Sequence, residues 1–162
     1  MTLRSVLLST AMLLALVLPV AACSQIAAGP TLSAAAGEYY VFQKVVYQNS
    51  GGLPDDRAYL MRLLRNVGAH VSATEGNVEI RVVSFSAGVK AFQTAMTDPE
   101  LAKALDAARA TGKVRFLICR NTLRAMNLTA ADLYGVTEAE VVPSGVAELA
   151  RLQGLGFVYI HP

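Results

Sequence analysis

The 162-residue sequence has no tryptophan, two cysteines and two histidines. His70, His161 and Cys119 stand far apart and show none of the ligand spacings of a zinc site, so no metal is expected. Neither histidine is placed to act as base for Ser86 and no G-x-S-x-G elbow occurs, which leaves a serine hydrolase without its parts. Charged residues are scarce at 16%, and the basic ones are scattered rather than interleaved with aromatics, so nucleic acid is not an expected partner. Neither G-x-G-x-x-G nor G-x-x-x-x-G-K-[ST] is present, and no cofactor is expected. Both histidines read as surface residues, His70 because it follows Gly68, itself read as a helix stop.

What is there begins with an apolar leader. MTLRSVLLSTAMLLALVLPVAAC carries Arg4, an apolar run from Val6 to Leu18, the breaker Pro19 and then small residues, the pattern of a secretory signal over residues 1–22. The run is shorter than the about 20 residues that a membrane-spanning helix needs. Val20-Ala21-Ala22-Cys23 resembles a bacterial lipobox, in which the cysteine is lipidated and holds the following domain at a membrane. Ordinary cleavage after Ala22, or after Ile26-Ala27-Ala28, competes with that reading. The protein is thus expected to face the periplasm, lipid-anchored through Cys23 or otherwise soluble there. Removing the leader takes Arg4 with it, and the formal charge falls from +2 to +1. Residues 23–37 are small and patternless, as in a flexible tether, and residues 38–162 suffice for one domain with a single core.

Within that domain, strand-length apolar runs alternate with stretches of helical period. YYVFQKVVY, VEIRVVSF, VRFLIC, EVV and GFVYI read as strands, the third and fifth without polar alternation and so covered on both faces. One helix is expected from Asp55 to Val67, with Asp55 or Asp56 as its cap and Gly68 as its stop. A second opens at Asp98-Pro99, a short turn at Thr129 with Asp132, and a last helix at Ser144 that carries Val146, Leu149, Ala150 and Leu152. The alternation predicts a three-layer α/β/α fold around a mostly parallel sheet of about five strands. In such sheets the chemistry sits at the carboxyl ends of the strands. Here those ends lead into QNSGGLPDD, SFSAGVK, CRNTL and PSGV.

SFSAGVK offers Ser86, Ala87 and Gly88 either as backbone N–H donors to an anion or as a plain helix cap. CRNTL places Cys119 at the end of a strand and before a helix that Asn121 or Thr122 is expected to cap. Arg120 and Arg124 lie nearby on one helical face. A helix N-terminus and adjacent cations both favour thiolate over thiol, which predicts a partly exposed Cys119 ionising below about 8.5. The competing reading is a small buried hydrophobe, and the residues alone do not choose between them.

VRFLICRNTLRAMNL and VVPSGVAELARLQGLGFVYIHP resemble the DsrE/DsrF-like family of sulfur-relay proteins, those related to DsrE and TusD, over roughly residues 38–162. SFSAGVKAF is similar to the family's small-residue loop after the second strand. The resemblance implies a persulfide carried on Cys119, with Arg120, Asn121, Thr122, Ser86 and Gly88 around the anionic sulfur. It implies a sulfur carrier rather than a turnover enzyme, a homo-oligomer (trimer or hexamer), and a donor or acceptor protein for the sulfur. The chain departs from the relay proteins in its expected export and in having no second cysteine to receive sulfur. The alternative function is a non-catalytic oligomeric binding module whose Cys119 is buried and inert.

Overall fold

The computed structural model describes residues 39–52 and 54–162. The expected leader (1–22), Cys23, the tether (23–37) and the expected first domain residue, Glu38, lie outside the described residues.

Five strands form one sheet: β1 Gln43–Asn49, β2 Val78–Ser84, β3 Val114–Cys119, β4 Val141–Val142 and β5 Val158–Ile160. The order is β4-β3-β2-β1-β5 and every pairing is parallel. Parallel neighbours need a crossover, usually a helix. Here the helices are α1 Asp56–Ala73, α2 Lys90–Thr94, α3 Pro99–Ala110, α4 Arg120–Ala125 and α5 Gly145–Gly154. On one face Leu60, Leu63 and Val67 of α1, Phe92 of α2 and Leu101 and Leu105 of α3 pack on Val45, Ile80, Val82, Phe116 and Ile118. Each such fully buried side chain contributes about 1.5–3 kcal/mol of transfer free energy. The rings of Phe92 and Phe116 meet edge to face at 5.5 Å in the middle of this layer. On the other face α5 packs on the sheet, with Leu149 and Leu152 against Val46 and Val83. This is the expected three-layer α/β/α arrangement.

Local signals account for the helix starts. Asp55 accepts from the Ala58 N–H at 2.7 Å to cap α1, and Asp98 accepts from the N–H groups of Glu100 and Leu101 ahead of α3, with Pro99 at the first helical position. Ser144 accepts from the Ala147 N–H to open α5.

Three expectations require correction. Helix α1 runs through Gly68 to Ala73. Gly68 lies on the exposed face with open space beside it, where glycine costs only about 1 kcal/mol, while Val71 continues the packed stripe. The stop is instead at Glu75 and Gly76, both left-handed, with φ of 50° and 76°. Strand β5 is an exposed edge rather than a strand covered on both faces, with Val158 63% exposed. Strand β3 alternates after all: Arg115 is exposed and Leu117 half-buried, because the ten residues of α5 roof only part of that face. On α5 itself, Val146 and Ala150 face solvent, and Glu148 is buried in their place, held by two hydrogen bonds from Arg151 at 2.8 and 2.7 Å.

Candidate functional site

At the carboxyl ends of the strands Asn49 of β1 is the register partner of Ser84 of β2, while Cys119 of β3 lies one residue beyond Ile118, the partner of Ser84, and so leaves the sheet on the opposite face, toward the start of α5. Asn49 Nδ2 donates to Ser84 Oγ and to the Gly88 carbonyl, both at 3.0 Å, tying the end of β1 to the loop after β2. Gly88 is required there, since a Cβ would lie 2.3 Å from the Asn49 carbonyl oxygen.

Cys119 is 5% exposed, free of any disulfide, and is itself the N-cap of α4. Neither Asn121 nor Thr122 caps that helix with its side chain, contrary to expectation. Burial pushes the thiol pKa up. Against it stand hydrogen bonds from the Gly145 N–H, the Thr122 hydroxyl and the N–H groups of Thr122 and Asn121, and together they hold the thiol below its ordinary value. The backbone donors belong to the first turns of α4 and α5, whose N–H groups have no partner within their own helix. Arg120 is engaged by Glu138 at 2.8 Å and Arg124 is exposed.

Thr122 has a second function. Its Oγ1 accepts from the Ser86 N–H at 3.0 Å, joining the loop after β2 to the thiol's surroundings. Ser86 adopts φ 49°, a left-handed conformation that costs a non-glycine residue about 1–3 kcal/mol, so the loop is held there by its contacts. With the Ser86 N–H on Thr122 and the Gly88 N–H on the Phe85 carbonyl, these two are engaged within the protein and do not form an anion nest. Ser86 reaches Cys119 only through Thr122, and Gly88 belongs to the Asn49 contact.

Gly145 was not singled out in the sequence. A Cβ there would meet Phe85 at 2.9 Å and Cys119 Cβ at 3.2 Å, so only glycine brings the start of α5 this close to the sulfur. The signal was present in part: Ser144 reads as a cap, and the residue after a cap carries a free N–H.

A model of the DsrE/DsrF-like family matches residues 43–162. The chain belongs to the DsrE/DsrF-like family. This family is generally related to sulfur relay. A solved structure of a protein of unknown function from Methanobacterium thermoautotrophicum is 32% identical, covers 74% of this chain and 99% of its own, and superposes with a TM-score of 0.56. No curated protein matches the chain.

In this DsrE/DsrF-like domain the two histidines have different surroundings. His161 is exposed, as expected. His70 is half-buried within α1 rather than on the surface, with Nε2 2.7 Å from Gln43 Oε1 and Nδ1 2.9 Å from the Tyr47 hydroxyl. An amide oxygen only accepts, so Nε2 carries the hydrogen and Nδ1 accepts from Tyr47. Burial lowers the His70 pKa. Among the described residues no group of three or more His, Cys, Asp or Glu is placed to hold a metal ion, and no helix is long and apolar enough to cross a membrane.

Proposed function

We propose that Cys119 carries sulfane sulfur as a persulfide. The observation that supports this reading is the ring of donors around the sulfur: three N–H groups and one hydroxyl, supplied by two helix starts, favour its anionic form despite burial. The thiolate attacks the terminal sulfur of an anionic polysulfide. A new S–S bond forms at Sγ, the donor's S–S bond breaks, and its electron pair leaves with the shortened polysulfide. The transferred atom keeps its oxidation level, so no outside oxidant enters. The same donors then face a persulfide anion until an acceptor takes the outer sulfur. Burial of Cys119 requires a transient opening at the start of α4 or α5 for donor and acceptor to reach it.

That burial is also the observation favouring a second reading, a binding module with an inert thiol. The rate of alkylation as a function of pH, followed by intact mass after polysulfide treatment with and without reductant, separates the two. The carrier reading expects native labelling, a reducible gain of one sulfur atom, and loss of that gain in Cys119→Ser. A native thiol that stays unlabelled and gains no mass leaves only the binding module.

The proposal includes a periplasm-facing location through a lipidated Cys23 and assembly as a homo-oligomer. Identical fractionation of wild type and Cys23→Ala without lipid label would remove the anchor. Light scattering that finds a monomer at all concentrations would remove the assembly.

A further inference from the structure

Among the described residues α5 covers only part of the sheet's second face, and a cleft of about 660 Å³ lies between α5 and residues 135–142. Its floor holds Arg81 of β2 and Arg115 of β3, and Arg151 of α5 forms part of its wall. Arg81 and Arg115 are register partners on adjacent strands, so their side chains leave the sheet on the same face, next to each other. Like charges at directly opposed positions destabilise a sheet, and the pair calls for an anion. The acidic residues around the cleft do not supply it for both. Glu79 pairs with Arg81 and Glu148 with Arg151, while Glu140 accepts from the Thr137 N–H at 2.9 Å and lies 4.0 Å from Arg109. Arg115 is exposed and, among the described residues, has no acidic partner.

We propose that this cleft binds a phosphate- or sulfate-type oxyanion between the guanidinium groups of Arg81 and Arg115. Guanidinium groups present paired N–H donors in a plane, which matches two oxygens of such an anion. The volume falls in the range of small-molecule sites, which leaves room for an organic portion beyond the oxyanion. Glu148 and Glu140 oppose an anion, but each already faces an arginine, so the uncompensated charge in the cleft is that of Arg115. The cleft is lined by Leu117 and Val142 and not by Cys119, so this site stands whether or not the thiol carries sulfur.

The test is a titration with inorganic phosphate at constant ionic strength, with chloride as the matched salt, followed through the backbone amide resonances of β2 and β3. Wild type and Cys119→Ser should show the same saturable shifts. Arg115→Gln, a change at an exposed side chain, should weaken binding at least tenfold, whereas Arg65→Gln on the exposed face of α1 should leave it unchanged. The proposal is overturned if wild type shows no saturable shift, or if Arg115→Gln binds phosphate as wild type does. It is also overturned if Arg115→Gln lowers the mass seen by light scattering while phosphate has no effect on either protein, which would assign the face to a contact between copies.

Discussion

Thr122→Val separates the electrostatic role of the hydroxyl from the space it fills. Valine has nearly the same shape, and Thr122 is 9% exposed, so little cavity is created. Two hydrogen bonds are lost together: the one donated to the Cys119 sulfur and the one accepted from the Ser86 N–H. Leaving a buried N–H without a partner costs about 1–3 kcal/mol, and partial exposure of this one places it in the lower half of that range, about 1–2 kcal/mol. For a domain of this size 1 kcal/mol moves Tm by about 4 °C, so the variant should melt roughly 4–8 °C below wild type by circular dichroism. Removal of a donor to the thiolate also moves the Cys119 pKa up. The alkylation profile should therefore shift to higher pH, with a slower rate at neutral pH. Thr122→Ser serves as the control: it keeps the hydroxyl and loses a methyl, so it costs about 0.8 kcal/mol of stability but retains the wild-type profile. A Thr122→Val protein with the wild-type pH profile would refute the argument that the hydroxyl stabilises the thiolate.

Gly88→Ala should be severely destabilising, at or above the upper end of the about 1–3 kcal/mol typical of overpacking, since the new Cβ would lie 2.3 Å from one Asn49 oxygen and 2.6 Å from the other. Gly154→Ala has no neighbour within 4 Å and should be neutral or slightly stabilising; equal urea midpoints for the two variants would refute the steric reading. His70 should make stability depend on pH. Its folded pKa is depressed by burial, so its contribution is complete above the unfolded value of about 6.5 and is lost as pH falls through that value toward the folded one. Tm should drop between neutral pH and pH 5 more steeply in wild type than in His70→Gln, and parallel curves would show that His70 is not the group responsible.

The features legible in the sequence were those fixed by neighbouring residues. VRFLIC gave the bounds of β3 because a short apolar run ends at polar residues on both sides. Asp98-Pro99 and Ser144 marked two helix starts because a cap needs only its own side chain and the next turn's N–H groups. Gly68 misled because a glycine ends a helix only when the chain must turn left-handed there, and packing of Val71 settled that further on. The surroundings of Cys119 were legible in part: its place at the strand end was, but the N–H of Gly145 comes from α5, whose close approach past Phe85 rests on the missing Cβ at Gly145. The arginines of β2 and β3 looked scattered in the sequence, and only strand register brings Arg81 beside Arg115.

The two edges of the sheet are short: β4 has two residues and β5 three. A long unpaired edge is a template for another chain to extend the sheet, the first step of uncontrolled aggregation. An all-parallel sheet exposes such edges during folding, because its pairings are non-local and form slowly. Among the described residues β4 pairs only with Ile118 and Cys119 and β5 only with Val45–Tyr47, so the strand each edge offers another chain is two or three residues long. Strands that short give a second copy little to extend, whereas contact through side chains on the faces depends on complementary shape and charge, which limits how many copies fit.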